Sequence, residues 1–209
     1  MEKYLLPAIH YLQRHQAALL ASTILILFGL FMHFQYESYS KRYQSDLSDR
    51  YFQIVTSTEY PENHQEIDRF VEQNPTSIYS DLIRLQQAKR YFDLKEVNKS
   101  ILLLEKTLQY SSSKSIRSLA AYRLGLIIKD QDPKRALTIT DMIQLKSLSL
   151  LKSLLKAEIF EQLGEKAKAL LELNSIGTSA IDQTSESLDD TLLIELASRH
   201  KRQLLNQDV

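Results

Sequence analysis

The sequence predicts an all-α protein in which one hydrophobic helix near the N-terminus is followed by a domain of paired amphipathic helices. Gly and Pro number only four each among 209 residues, fewer than a turn-rich sheet protein needs. Residues that favour helices, such as Leu, Lys, Glu, Gln and Ala, are plentiful. Apolar residues also recur every three or four positions, which places them on one face of a helix.

The hydrophobic helix is predicted at residues 17–34. The segment from Ala17 to Met32 carries no charged side chain, and Phe34 extends it to 18 positions. At about 1.5 Å per residue this length covers roughly 27 Å, close to the ~30 Å hydrocarbon thickness of a bilayer. Aromatic residues suited to the headgroup layer flank it at Tyr11, Tyr36, Tyr39 and Tyr43. We therefore expect a single transmembrane helix.

Three other interpretations of this segment compete: a buried core helix, a cleaved signal peptide and an interfacial helix. A core helix would normally show a polar stripe, whereas the only polar residues between positions 17 and 32 are Ser22 and Thr23. The nearest cleavage candidate, Ser38-Tyr39-Ser40, fits a signal peptidase site poorly. Basic residues are nearly balanced on the two sides of the segment, so charge leaves its orientation open.

The rest of the chain divides into a short N-terminus at residues 1–16, a helical stalk at 35–59 and a repeat domain at 60–209. The stalk should end before Tyr60-Pro61, because the residue before a proline disfavours the α conformation. Thr76 and Ser77 are predicted to cap one helix and Asp132 another, and Gly164 is predicted to form a tight turn between helices. A loop is predicted at 174–187 around Gly177, where Ser and Thr accumulate.

Paired helices of this length invite a search for repeats. Small residues stand at corresponding points of three helical pairs: Gly125 lies 37 residues after Ala88, and Ala157 lies 32 after Gly125. These spacings average close to the ~34-residue period of tetratricopeptide repeats, in which small residues let two helices cross closely. The predicted repeat-packing residues are Ala88, Tyr91, Ser100, Gly125, Ala136, Ala157, Phe160, Gly164 and Ala169. The sequence thus predicts a tetratricopeptide-like helical-hairpin domain.

The order of a single span, a helical stalk and Tyr79-x-x-Leu82-x-x-Leu85-x-x-Ala88 opening the repeats resembles the YfgM-type ancillary subunits of the bacterial SecYEG translocon. The resemblance implies a bacterial inner-membrane protein with a cytoplasmic N-terminus and a periplasmic repeat domain. It also implies the SecYEG translocon and a periplasmic chaperone as partners. The chain departs from the family pattern in having no Trp, only Gly29 within the span, and no marked acidity.

The sequence contains no recognisable catalytic or metal-binding motif. Its five histidines lack metal-ligand spacing, and its four glycines build neither a P-loop nor a dinucleotide fingerprint. The lack of Cys excludes disulfides, thiolate metal sites and cysteine nucleophiles. Lys and Arg total 26 and so do Asp and Glu, so no net charge attracts nucleic acid. We expect no enzyme, cofactor, metal, nucleic acid or small-molecule substrate.

The predicted function is that of a membrane-tethered scaffold whose repeats bind protein partners, at the Sec translocon if the resemblance holds. The concave wall of such an array comes from the first helix of each pair. The predicted groove residues are Leu82, Leu85, Lys89, Phe92, Leu119, Tyr122, Leu126, Lys129, Leu151, Leu154 and Glu158. Ordinary core packing of these leucines, with a C-terminal helix filling the groove, is the alternative for the site. An oligomerising structural protein for envelope assembly or cell division is the alternative function.

Overall fold

The computed structural model describes the backbone of residues 2–57, 64–181 and 188–206 and the side chains of residues 24–39, 41–57, 65–176 and 191–205. The chain forms two compact units, Met1–Tyr60 and Pro61–Val209. Within the described backbone, every regular element is helical. The all-α prediction is therefore confirmed.

The first unit contains one helix, α1 (Glu2–Thr56), which is 55 residues long. Every side chain from 24 to 34 is exposed, including Ile24 at 65% and Phe34 at 69%. Where side chains are described, no helix combines the length and the apolar character needed to cross a bilayer. Residues 17–23 of the predicted span lie outside that part of the chain, as do stalk residues 58 and 59.

The second unit is a stack of helical hairpins. Helix α3 packs on α4, α5 on α6 and α7 on α8, while α4 also contacts α5, and α6 contacts α7. A short 3₁₀ turn, Lys146–Leu148, precedes α7. The helices described in this unit are α2 (His64–Gln73), α3 (Ile78–Asp93), α4 (Val97–Tyr110), α5 (Lys114–Ile128), α6 (Pro133–Asp141), α7 (Ser149–Gln162), α8 (Lys166–Ile181) and α9 (Leu188–Asn206).

Side-chain caps fix where two of these helices begin. The hydroxyl of Ser77 accepts a hydrogen bond from the Tyr79 backbone N–H at 3.2 Å, at the start of α3. The carboxylate of Asp132 accepts one from the Arg135 N–H at 3.0 Å, and Pro133 occupies the first turn of α6. Of the predicted caps, Ser77 and Asp132 are confirmed, and Ser77 rather than Thr76 is the N-cap of α3.

The turns inside the first and third hairpins share one conformation. Lys95 has φ 64° and Gly164 has φ 72°, both in the left-handed region. In each turn the next residue donates its N–H to a carbonyl five positions earlier, at 2.8 Å, which satisfies an end group of the preceding helix. The predicted tight turn at Gly164 is confirmed, and its equivalent at Lys95 shows the same geometry without a glycine.

The predicted loop at 174–187 is wrong over its first half, because α8 continues through Gly177 to Ile181. Leu173 and Ile176 of α8 are buried in one apolar cluster with Ala197 of α9. This packing outweighs the local preference of Ser, Thr and Gly for a loop. Residues 182–187 of the predicted loop lie outside the described residues.

Small residues stand where the hairpin helices meet. Gly125 is buried, and a Cβ added to it would lie 2.9 Å from Thr140 Oγ1 and 3.0 Å from Leu155 Cδ2. Tyr91 and Phe160 are half-buried. The remaining predicted packing residues with at most 1% exposure are Ala88, Ser100, Ala136, Ala157 and Ala169. Helices α5, α6 and α7 can approach this closely only because position 125 carries no side chain.

Candidate partner-binding groove

Ten of the eleven predicted groove residues lie on α3, α5 and α7, the first helices of the three hairpins, and Lys129 follows α5 as its C-cap. Those on α3 share one face, since they are spaced three or four positions apart. The structure does not bring all eleven into one open surface. Instead they fall into three groups. Some line an open cavity, most of the leucines pack into the core, and two charged residues form an ion pair.

The open cavity has a volume of about 320 Å³ and lies between α3, α4 and α5. Three of the predicted residues line it, namely Lys89, Phe92 and Leu126. Phe92 is 44% exposed and Leu126 is 37% exposed, so both offer apolar surface to a ligand. The other lining residues are Ala88, Asp93, Ser100, Leu104, Arg123 and Ile127. We call this space the α3–α5 cavity.

The α3–α5 cavity has an apolar floor and a charged rim. Leu104 and Ser100 of α4 are each 1% exposed, whereas Lys89 forms an exposed ion pair with Asp93 at 2.7 Å. The Arg123 guanidinium donates to a backbone carbonyl of α3 at 3.4 Å. An apolar interior with a few polar groups at the edge is typical of sites that bind apolar side chains.

Most of the other predicted groove leucines pack into the core. Leu85 is 5% exposed, and Leu82, Leu119 and Tyr122 pack against the same apolar cluster. Leu154 packs against the cluster formed by α7, α8 and α9, while Leu151 is half-buried. The alternative of ordinary core packing therefore describes Leu85 correctly. It does not describe Phe92 and Leu126.

Two charges predicted as isolated in the groove form an ion pair. The Lys129 ammonium at the end of α5 contacts the Glu158 carboxylate on α7, and both side chains are partly buried. Burial, and to a lesser extent the Glu158 charge, raises the pKa of the neighbouring Tyr122 hydroxyl. No local pattern indicates this pair, because its members are 29 residues apart.

The cavity also contains residues that the repeat pattern did not indicate as groove residues. Leu104 comes from α4, the second helix of its hairpin, and Arg123 and Ile127 come from α5. A rule that assigns the concave wall to the first helices alone omits such contributions. The signal that could have found Leu104 is its position four residues after Ser100, which the repeat register already placed at the helix crossing.

The described side chains of the C-terminal helix, residues 191–205, lie outside the α3–α5 cavity. Helix α9 packs against α8 and α7, where Ala197 and Leu204 are buried. His200 Nε2 lies 2.7 Å from Glu161 Oε2 at the end of α7. Within the described part of α9, no residue lines the cavity. The described part of α9 therefore packs on the hairpin of α7 and α8.

Comparison with known proteins places this fold in a family. The tetratricopeptide repeat-like domain family matches residues 10–190, and the chain belongs to it. Stacked repeats of this kind form extended binding surfaces, so membership in this family points to a protein-interaction role.

One curated relative supports a more specific assignment than the family match does. The ancillary SecYEG translocon subunit of Buchnera aphidicola subsp. Acyrthosiphon pisum (strain APS) is 28% identical over 109 residues, which cover 52% of this chain and 56% of the relative. The chain thus spans about half the length of the curated relative it matches. No solved structure matches the chain. Together with the family match, this relative confirms the predicted assignment to the YfgM-type ancillary subunits.

Proposed function

We propose that this chain is a membrane-tethered adaptor at the Sec translocon, assisting protein export or periplasmic chaperoning, and that its α3–α5 cavity receives apolar side chains of a protein partner. The observation that carries the proposal is the exposure of Phe92 and Leu126 over a floor of buried residues. The translocon is proposed as the partner because the curated relative is named as a translocon subunit.

The binding energy expected from the cavity suits one apolar side chain that anchors part of a larger interface. Burying one Leu or Phe side chain contributes about 1.5–3 kcal/mol. Micromolar binding needs about 8 kcal/mol net of the costs of association. One side chain in the cavity therefore cannot hold a partner alone, and the exposed Lys89 and Asp93 at the rim supply polar contacts around the anchor. This combination of apolar anchor and polar rim is common in transient interfaces.

The tether is proposed for residues 17–34, with the N-terminus in the cytoplasm and the repeat domain in the periplasm. Its support is the exposed apolar surface of α1 between Ile24 and Phe34, which extends around the whole helix. Soluble proteins rarely expose continuous apolar surface of this kind, and a helix that is apolar on all sides needs lipid or protein around it. The orientation follows the resemblance to the translocon subunits.

Binding can be tested with full-length protein in lipid nanodiscs and purified SecYEG translocon. The variant Leu126→Glu introduces a carboxylate into the apolar cavity and should weaken binding at least about tenfold, which corresponds to 1.4 kcal/mol. The matched control is Leu171→Glu, since Leu171 is 68% exposed on α8 and lies outside the cavity. Equal affinities of the wild type and Leu126→Glu would contradict the proposal. Obligate self-association of the chain would instead favour the oligomerising alternative.

The orientation can be tested separately because the chain contains no Cys. Single cysteines introduced by Lys3→Cys and Leu171→Cys can be labelled with a membrane-impermeant maleimide in intact spheroplasts. We expect Leu171→Cys to react before lysis and Lys3→Cys to react only after the membrane is opened. The reverse order would place the repeat domain in the cytoplasm, and reaction of both before lysis would argue against a membrane span.

A further inference from the structure

A second groove lies on the other side of α3, between α2, α3 and α4, and has a volume of about 330 Å³. On α3, the residues facing it include Arg84, Gln87 and Tyr91, whereas Lys89 and Phe92 face the α3–α5 cavity. Apolar walls come from Ile67 and Val71 of α2 and from Leu102 and Leu103 of α4. We call this space the α2–α4 groove.

The side chain of Gln87 stands out in the α2–α4 groove because both of its polar atoms lack a hydrogen-bond partner among the described residues. Gln87 is only 5% exposed, yet neither its amide Nε2 nor its Oε1 forms a hydrogen bond with any described residue. The large majority of buried side-chain polar atoms are hydrogen-bonded, because burial without a partner is costly. A buried amide with both functions unused, lining a groove, is the arrangement expected of a group reserved for a ligand.

The chemistry of a carboxamide restricts which ligand fits. The group presents one donor and one acceptor side by side. The N–H and C=O of one residue in an extended chain point to the same side and present the complementary pair, as they do between antiparallel strands. Extended peptides bind in this way to groups that imitate a strand edge, while their side chains occupy adjacent pockets. The Gln87 amide, between apolar walls, matches that mode of binding.

The rim of the groove carries opposite charges on its two sides. Asp68 and Glu72 stand on the α2 side, and Lys99 and Lys106 on the α4 side. The Lys99 ammonium is already ion-paired with Glu96 and lies 5.0 Å from the centre of the Tyr91 ring, so Lys106 is the main cation offered on that side. A segment with one basic and one acidic residue flanking apolar ones would find a complementary charge on each side. The groove volume is near the lower end of the ~300–1,000 Å³ range of ligand pockets, so it suits a short segment.

We propose that the α2–α4 groove binds a short extended peptide segment of a partner protein, with the Gln87 carboxamide pairing with one backbone N–H and C=O. The apolar side chains of the segment lie between Val71 of α2 and Leu102 of α4, and its flanking charges meet the rim. This site is separate from the α3–α5 cavity, because the two spaces face opposite sides of α3 and share no lining residue.

The test uses full-length protein in lipid nanodiscs, with the signal of empty nanodiscs subtracted. The probe is a fluorescent, capped peptide of alternating leucine and valine flanked by one glutamate and one lysine, and affinity is read by fluorescence anisotropy. A second peptide is identical except for an N-methyl group on its central valine, which removes one backbone donor. The variant is Gln87→Leu, and the matched control is Gln86→Leu, which makes the same change at an exposed position.

We expect Gln87→Leu to bind the unmethylated peptide at least about tenfold more weakly than the wild type does, and Gln86→Leu to bind it unchanged. Methylation should weaken binding to the wild type by a similar factor and have little effect on Gln87→Leu, because the bond it removes is already lost. Equal binding by the wild type and Gln87→Leu would overturn the proposal. So would equal effects of methylation on both, or no wild-type binding up to about 1 mM peptide.

The outcome is distinguishable from that of the proposed adaptor function. Leu126→Glu changes the α3–α5 cavity alone and should leave peptide binding in the α2–α4 groove intact. If Leu126→Glu abolishes peptide binding and Gln87→Leu does not, the peptide occupies the other cavity and the α2–α4 groove is not its site.

Discussion

Gly125→Ala is expected to destabilise the repeat domain, although alanine is the better helix former. Gly125 lies inside α5, where an alanine side chain would meet Thr140 Oγ1 at 2.9 Å and Leu155 Cδ2 at 3.0 Å. The Thr140 hydroxyl already donates to the Ala136 carbonyl at 2.7 Å. Thr140 is fully buried and Leu155 is 1% exposed. Neither side chain can move away without breaking a bond or disturbing the core.

The magnitude follows from two opposing effects. Replacing glycine by alanine within a helix contributes about 1 kcal/mol of stability. Forcing an extra methyl group into a packed core costs about 1–3 kcal/mol. The β-branched Thr140 has few rotamers to adopt, so we expect the upper half of that range. The net change should be a loss of about 1–2 kcal/mol, which lowers the Tm by roughly 2–8 °C for a chain of this size.

The assay is urea unfolding of the full-length chain in detergent, followed by circular dichroism. Thr140→Ala removes the closest contact, so combining it with Gly125→Ala should recover about 1 kcal/mol relative to the sum of the single changes. The matched control is Thr138→Ala, at an exposed position of α6, which should combine additively with Gly125→Ala. The reasoning is refuted if Gly125→Ala is as stable as the wild type, or if Thr140→Ala and Thr138→Ala combine with it equally.

Three further predictions can be checked by the same urea unfolding. Lys95 and Gly164 have φ 64° and 72°, a conformation that glycine adopts more readily than other residues. Lys95→Gly should therefore stabilise the fold and Gly164→Ala should destabilise it, each by about 1 kcal/mol. A stability change of the same sign for both variants would contradict this. Burial raises the pKa of Asp81 above 3.8, so the folded state binds the proton more readily than the unfolded state. The wild type should therefore gain stability relative to Asp81→Asn as the pH falls from neutral toward 3.8, and a pH-independent difference would exclude this contribution. Lys129→Glu should cost about 1 kcal/mol by facing Glu158, and the exchanged pair Lys129→Glu/Glu158→Lys should recover most of it.

The repeat register could be predicted from the sequence because it depends on local patterns. Ala157 lies 69 residues after Ala88, and Gly164 lies the same distance after Lys95. The small residues at the points where the hairpin helices cross predict this register. The turn at Lys95 could not be predicted, because lysine has no preference for the left-handed conformation that would indicate it in the sequence. The backbone hydrogen bonds show that it occupies the position of Gly164.

The open surface could be predicted only in part, because exposure depends on which neighbouring helix covers each face. Leu85 and Leu126 are both leucines of the predicted groove, yet Leu85 is 5% and Leu126 is 37% exposed. The pairing of Lys129 with Glu158 likewise depends on how α5 and α7 stack. Nothing in the sequence distinguishes Gln87 from the other polar residues of α3, because its burial without a hydrogen-bond partner among the described residues appears only in the fold.

The ion pair inside α3 leads to a last prediction about the helix that separates the two cavities. Arg84 donates to Asp81 at 2.8 Å and to the Pro75 carbonyl at 2.7 Å, and its guanidinium lies 5.5 Å from the centre of the Tyr110 ring. Side-chain exposure is 3% for Arg84 and 1% for Asp81. Such buried pairs seldom add stability over apolar residues, but the loss of one partner leaves a charge buried alone.

These contacts orient α3 about its axis, so that Gln87 faces one groove and Phe92 the other. Arg84→Met should therefore cost about 3–5 kcal/mol, because the Asp81 carboxylate stays buried without its cation. Adding Asp81→Leu should restore most of that stability, since no charge then remains. The doubly substituted chain should still lose affinity in the α2–α4 groove, where α3 is no longer held to Pro75. If the double variant is as unstable as Arg84→Met, the pair contributes stability itself and the orienting role is wrong.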